Sequence, residues 1–218
     1  MLLVDHRKTT TMLPAVKNLK LVQIFLGCYL FLSQNFTLSY MESEAYFNHP
    51  WGLVHHLLVL VPMFIAFRWR FYIAWLLAEA ACMSAGLGAY PTQSEAKSGG
   101  GPTKIIMTLD EEKTEYGFQT IKNVNIHEIE LGPSMAAIMR DWNTTVQWWL
   151  STYVYRELPV KSKPIRMFIL LFVSAFWHGV HPGYYLTFLS VPFVVIAEKR
   201  MVAAVTPYLN ERGEYLLS

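Results

Sequence analysis

Apolar residues along this chain gather in long runs separated by short polar and basic punctuation, and not in the strict alternation of half-buried strands. The first run, residues 21–40 (LVQIFLGCYLFLSQNFTLSY), is long enough to span a hydrocarbon core of about 30 Å at about 1.5 Å per residue. Its second half holds Ser33, Gln34 and Asn35, so a buried or interfacial helix is the alternative to a span. A second run at 51–67 (WGLVHHLLVLVPMFIAF) lies between His49-Pro50 and the basic, aromatic triplet Arg68, Trp69, Arg70, flanks of the kind found at a membrane boundary. A third run follows at 71–90 and stops at Pro91. Residues 68–70 are then expected to form a tight interfacial turn, facing the cytosol by the positive-inside rule.

The pattern changes at 91–133, which holds Ser98, Gly99, Gly100, Gly101 and Pro102 and the charged stretch 110–115. It reads as an extramembrane loop, partly flexible, with a short amphipathic piece around 121–131. The Gly-Lys-Ser/Thr ending of a phosphate-cradling loop is absent. Apolar periodicity resumes at Met135 and runs through 143–157 (NTTVQWWLSTYVYRE), where Trp148, Trp149, Tyr153 and Tyr155 suit the headgroup zone of an interfacial or oblique helix. Past Pro159 and Pro164 come a membrane helix at 166–180 (RMFILLFVSAFWHGV), a break at His181-Pro182-Gly183, and another helix at 184–197 that ends before Glu198, Lys199 and Arg200. The tail to Ser218 is amphipathic at most, and no internal repeat is visible. The expected fold class is all-α, a multi-spanning transmembrane helical bundle forming a single domain over 1–218.

Composition strengthens this reading. Of the 218 residues, 53% are hydrophobic and only 16% charged, against roughly 25% charged in soluble domains. The net charge of +2 is scattered at the ends of apolar runs and forms no basic stripe, so nucleic acid is not an expected partner. Cys28 and Cys82 both sit in apolar runs and read as small buried hydrophobes; neither a disulfide framework nor a cysteine metal site is indicated. Residues 1–11 lack the apolar core and cleavage site of a signal peptide, which leaves insertion to the internal runs.

Two residues stand out chemically. His178 ends a strongly apolar stretch, and an ionisable residue at that depth is functional by default, with a hydrogen-bonded structural histidine as the plain alternative. A low dielectric favours the neutral imidazole that a general base requires. Asn143 precedes a helix-compatible run and reads first as an N-cap. It also opens the sequon 143–145, as Asn35 opens 35–37, but the flanking Trp142, Trp148 and Trp149 argue for a membrane-proximal position out of reach of glycosylation. Glu79, inside the third run, must face protein or water, as a structural group or on a substrate path. His55 and His56 read as interfacial or core histidines.

The segments 142–150 (WNTTVQWWL) and 174–185 (SAFWHGVHPGYY) resemble the two signature segments of the membrane-bound O-acyltransferase family. Further likeness to its lysophosphatidylinositol acyltransferase branch lies in 67–75 (FRWRFYIAW), 86–91 (GLGAYP) and 99–103 (GGGPT), so the resemblance covers most of 50–200. It implies that Asn143 and His178, on helices either side of the 159–164 turn, meet in a membrane chamber as the catalytic pair. Glu79, Trp142, Gln147, Ser174 and Trp177 become candidate substrate contacts. The implied reaction moves a fatty acyl group from acyl-CoA, a co-substrate, to a lysophospholipid, most closely lysophosphatidylinositol, in a multi-pass protein of the endoplasmic reticulum membrane, with no cofactor and no metal. Family members are roughly twice this length, so the chain is expected to form part of the family fold.

Rival constellations are weaker. His178 and His181 have metal-ligand spacing, but Pro182 disrupts the helix and no third Cys, Asp or Glu stands nearby. Ser174 lies four residues before His178 without a carboxylate for a triad. A His-x4-Asp signature is absent. A transporter relaying protons through His178 and Glu79 would be expected to show inverted repeats. The other rival is a truncated, non-catalytic interaction protein.

Overall fold

The computed structural model describes residues 12–106 and 114–210. Segment 1–11, most of the charged stretch 110–115 and the tail beyond 210 lie outside the described residues. The chain divides into two compact units, Met1–Val124 and Asn125–Ser218. Their boundary falls inside the stretch anticipated as one loop.

The first unit is built on two long helices, α1 (Leu13–Asn35) and α4 (Leu53–Ser84). Between them lie two single-turn helices, α2 (Leu38–Met41) and α3 (Glu44–Phe47), whose first turns are capped by the Thr37 and Ser43 hydroxyls. The long helices run antiparallel. Asn18 meets Glu79 near one end, and seven residues further along α1 the Phe25 ring lies 5.3 Å from Trp69 and 5.6 Å from Tyr72. Val59, Ala66, Tyr72, Leu76, Ala80 and Met83 form the buried face of α4, and Ala15 and Val22 are buried on α1. In lipid no hydrophobic effect drives two helices together, so close packing must, and alanines at 15, 66 and 80 permit it.

Residues 68–70 are not a turn. The second and third runs form one unbroken 32-residue helix, α4, about 48 Å long, with Arg68 to Arg70 inside it. Nothing between Phe67 and Phe71 breaks a helix, and Pro62 is absorbed within it. The Arg70 guanidinium sits 4.6 Å over the Phe67 ring one turn back, so its charge is accommodated without leaving the helix.

α4 ends in a Schellman turn: Leu87 N–H donates to the Cys82 carbonyl at 2.9 Å, Gly86 N–H to that of Met83 at 3.0 Å, and Gly86 takes φ 71°. Gly88 is required twice over. Its φ is 76°, and a Cβ there would lie 2.4 Å from Ile121 Cγ2. The chain then enters β1 (Tyr90–Pro91), paired antiparallel with β2 (Tyr116–Gly117), a two-residue addition to the expected all-α class. The described part of the loop is tied down: the buried Ser94 carbonyl accepts from Thr103 and Lys104 N–H, and Lys104 pairs with Glu95.

The second unit opens with α5 (Ile126–Leu131), within the anticipated amphipathic piece, then α6 (Met135–Arg140) and α7 (Thr144–Leu150). A π-helical turn at Ser151–Tyr155 follows directly, and α8 (Lys163–His178) and α9 (Pro182–Asn210) complete the unit. Contrary to the sequence reading, α9 does not stop before Glu198, Lys199 and Arg200. The Glu198 carboxylate accepts the Met135 N–H at 2.9 and 3.1 Å, so this charge caps the start of α6 from within α9.

Two stretches, Leu13–Met41 and Leu53–Ser84, are long and apolar enough to cross a membrane, and only 11% and 17% of their most apolar windows are buried. A core helix of a soluble protein would hide such a window. Here Ile24, Phe31, Leu53 and Phe64 point outward, as do Phe168, Phe176, Leu186 and Phe193 of the second unit. Cys28, expected to be buried, also lies on the outer face of α1, and Cys82 is half-buried.

Candidate active site

The second unit places both signature segments in one helical hairpin. At its closed end the Arg166 guanidinium of α8 lies 4.2 Å over the Tyr155 ring and donates from Nε to the Tyr155 carbonyl at 2.9 Å. Towards its open end Val146, Trp149 and Leu150 of α7 and Ser174 and Trp177 of α8 line a cleft of about 130 Å³. The hairpin is therefore antiparallel, with Asn143 standing just before the start of α7 and His178 at the end of α8. Neither is among the residues lining the cleft; Asn143 lies one turn before Val146, and His178 directly follows Trp177. The π turn adds local width where α7 would otherwise continue, a feature that recurs at functional sites.

Asn143 occupies the N-cap position of α7 but does not cap. Its backbone is left-handed, φ 50° and ψ 49°, and its side chain accepts no N–H of the first turn. Asparagine tolerates this region better than most residues. Gln147, one turn later, closes the helix start instead: its Nε2 donates to the Met139 carbonyl at 2.6 Å and to the Trp142 carbonyl. The Asn143 carboxamide has no hydrogen-bond partner among the described residues.

His178 is the last residue of α8. Gly179, at φ 127°, ends the helix and reverses the chain into α9. Three rings surround the imidazole: Trp177 edge-on at 4.7 Å, Tyr184 at 5.6 Å and Phe188 stacked at 5.0 Å with 29° between planes. Its ring nitrogens also lack a hydrogen-bond partner among the described residues. The side chain is exposed at the end of α8, beside an apolar hollow of about 660 Å³ lined by Val180, Tyr185, Leu186 and Phe193.

The remaining candidates divide by what holds them. Ser174 is 8% exposed, lines the cleft one turn before His178, and makes no hydrogen bond among the described residues. Trp177 lines the same cleft while 62% exposed. Trp142 and Gln147 build the turn that presents Asn143. Glu79 lies in the first unit, buried, with Oε1 accepting the Asn123 N–H at 2.8 Å and Oε2 accepting from Asn18 at 3.1 Å. Of its two anticipated roles this geometry supports the structural one. His55 and His56 are similarly engaged, with the Tyr40 hydroxyl at 2.9 Å and the Tyr46 carbonyl at 3.0 Å.

Sequence reasoning missed four participants. His181, weighed only as a metal ligand, caps α9: its Nδ1 accepts the Gly183 N–H at 3.1 Å. Its position just before Pro182 was the available signal, since proline favours the first turn of a helix. Tyr184 and Phe188, four apart on α9, carry no motif-level signal of contact with His178. Arg166 entered the sequence analysis only as the first residue of a membrane helix.

Comparison with known proteins adds an independent line. The family model described as the membrane-bound O-acyltransferase family matches residues 3–212. The chain belongs to this family. Among curated proteins, it is 36% identical to the membrane-bound acylglycerophosphatidylinositol O-acyltransferase of Xenopus laevis, over 98% of this chain and 46% of that protein. Identity to the protein of that name from Homo sapiens is 40%, over 85% of this chain and 40% of the relative. For the Drosophila melanogaster counterpart it is 36%, over 86% and 38%. The chain thus spans less than half the length of these relatives. Both signature segments lie inside the matched region, and in this member of the membrane-bound O-acyltransferase family they are the two arms of one hairpin.

Proposed function

We propose that this protein is a lysophospholipid O-acyltransferase that moves a fatty acyl group from acyl-CoA to a lysophospholipid hydroxyl, with lysophosphatidylinositol as the acceptor. The observation that carries the reading is a division among the polar groups. Glu79, Gln147, His181, His55 and His56 are held by protein partners, whereas Asn143, His178 and Ser174, all on the α7–α8 hairpin, keep their hydrogen-bonding capacity for a ligand. Ser174 is 8% exposed and lines the cleft, Asn143 is half-buried and His178 is exposed, so none of the three is closed off from a ligand. The acceptor headgroup rests on the names of the relatives.

In this mechanism a His178 ring nitrogen accepts the proton of the lipid hydroxyl as its oxygen attacks the thioester carbon. The Asn143 amide donates to the developing oxyanion without bringing a charge into a low dielectric. The tetrahedral adduct collapses, the carbon–sulfur bond breaks, and the imidazolium returns its proton to the CoA sulfur. Acyl-CoA enters as co-substrate, and no step calls on a metal or other cofactor. The apolar outer faces of α1, α4, α8 and α9 support a multi-pass arrangement, which we assign to the endoplasmic reticulum membrane.

The test is acyl transfer by membranes expressing the gene product, with acyl-CoA and a panel of lysolipids, beside a His178→Ala variant at equal abundance. Transfer to lysophosphatidylinositol above the other acceptors, lost in the variant, is the expected result. Preference for another headgroup would overturn the acceptor. Absence of any transfer would favour a non-catalytic, interacting membrane chain.

A further inference from the structure

The base proposed above is held in an unusual way. A histidine that acts as a base is commonly oriented by a hydrogen bond from its second ring nitrogen to a carbonyl or carboxylate, and among the described residues His178 has no such partner. What it has is aromatic surface. Phe188 stacks on the imidazole at 5.0 Å and 29°, and Tyr184 lies against it at 5.6 Å and 35°. These residues are four apart and therefore share one face of α9. The turn between the helices sets the approach: Gly179 takes φ 127°, a conformation that strains any residue with a side chain, and Tyr184 packs beside it, its Cε2 3.6 Å from where a Cβ on Gly179 would stand. His181, through its cap on Gly183, fixes where α9 begins. Across the break between α8 and α9, α9 thus lays this ring pair on His178.

We infer that Phe188, assisted by Tyr184, is a positioning residue for the acyl transfer, fixing the plane of the His178 imidazole and stabilising its protonated form through the π face. This inference rests on His178 being the base. When the imidazole takes the hydroxyl proton it gains a positive charge, and the negative face of a stacked ring attracts that charge. Neutral imidazole, the resting form, receives much less of this attraction. The interaction therefore grows toward the transition state, and interactions of that kind raise turnover without tightening substrate binding. Phe188 makes no contact with the hydroxyl or thioester in this scheme and contributes only through His178.

The discriminating variants are Phe188→Leu, which keeps apolar bulk and removes the π face, and Phe188→Tyr, which keeps the face. For the full gene product in membranes, kcat should fall about three- to thirtyfold in Phe188→Leu, with KM for acyl-CoA and lysolipid unchanged and with recovery toward wild type in Phe188→Tyr. A second readout needs no turnover. In isotope-labelled protein the His178 ring protons, assigned by their loss in His178→Gln, should resonate upfield in wild type and Phe188→Tyr and move downfield in Phe188→Leu. Unchanged kcat in Phe188→Leu, a rise in KM alone, or equal damage in Leu and Tyr variants with lowered thermal stability would each overturn the inference. Loss of transfer in His178→Ala beside unchanged kcat in Phe188→Leu removes this inference and leaves the base. Retained transfer in His178→Ala removes the base, and the positioning role with it.

Discussion

Glu79 of the first unit and His178 of the second are polar side chains held in opposite ways. In the first, Glu79 is the deepest charged group, and each of its oxygens is met by a protein donor, one from the side chain of α1 and one from the backbone at Asn123. Around it the packing is tight, with Tyr72 fully buried and small residues at the helix contact. In the second unit Gln147, Arg166, His181 and Glu198 are hydrogen-bonded, but His178 stands at a helix end against rings and Ser174 in a cleft with apolar walls, both without a hydrogen bond among the described residues. The contrast separates two reasons for placing a polar residue in a membrane protein. One specifies how elements join, and the other leaves a group available for chemistry.

His178→Ala should break this comparison most visibly if it is wrong. General-base catalysis typically contributes about 10²- to 10⁴-fold, so acyl transfer at equal protein level should fall by that order while insertion and abundance stay near wild type. Near-normal transfer would make His178 another structural histidine and erase its contrast with Glu79.

Asn143→Gly is the next largest effect and a cleaner probe than alanine. Glycine is at home at φ 50°, so the variant deletes the carboxamide without adding backbone strain. We expect turnover to drop about tenfold or more, short of the His178 loss, because a water can replace part of a single hydrogen bond to the oxyanion. Full turnover at unchanged KM would show that Asn143 serves only the left-handed turn before α7.

Glu79 tests the other side of the comparison. Glu79→Leu strands the Asn123 N–H and the Asn18 amide, at a cost of roughly 1–3 kcal/mol for each unsatisfied group. Abundance and thermal stability should fall, while turnover per folded molecule changes little. Glu79→Gln retains an acceptor and should recover most of the stability. If Glu79→Gln instead abolished transfer at normal abundance, Glu79 would belong to a substrate path and the first unit to the chemistry.

How much of this could be read from residues alone follows the range of the interactions. Apolar runs located every long helix, because hydrophobicity is summed over many positions and survives local irregularity. Boundaries judged from charge failed twice. Arg68 to Arg70 did not interrupt α4, since Arg70 is accommodated on Phe67 of its own helix, and Glu198 did not end α9, since its charge is used as a cap for α6. Both are contacts whose partner cannot be identified from position in the sequence. Asn143 was legible as special, but its plainest reading, an N-cap, does not hold, because type and position suggest capping while only backbone geometry reveals a left-handed residue. The ring contacts on His178 were hidden for the same reason as Glu198: α9 supplies them from across a break.

The smallest effect decides what His181 is for. As the N-cap of α9, its Nδ1 satisfies one of the orphan N–H groups of the first turn, so His181→Ala should cost about 1 kcal/mol of stability. Because Tyr184 begins in that same turn, the fraying should also loosen the rings on His178 and lower turnover a few-fold, far less than removing the base. The rescue separates this role from others. Asparagine is a strong N-cap and a poor base, so His181→Asn should restore both stability and turnover. A second catalytic histidine or a metal ligand could not be replaced in this way. Failure of asparagine to rescue, with transfer reduced to the level of His178→Ala, would move His181 from the fold into the reaction.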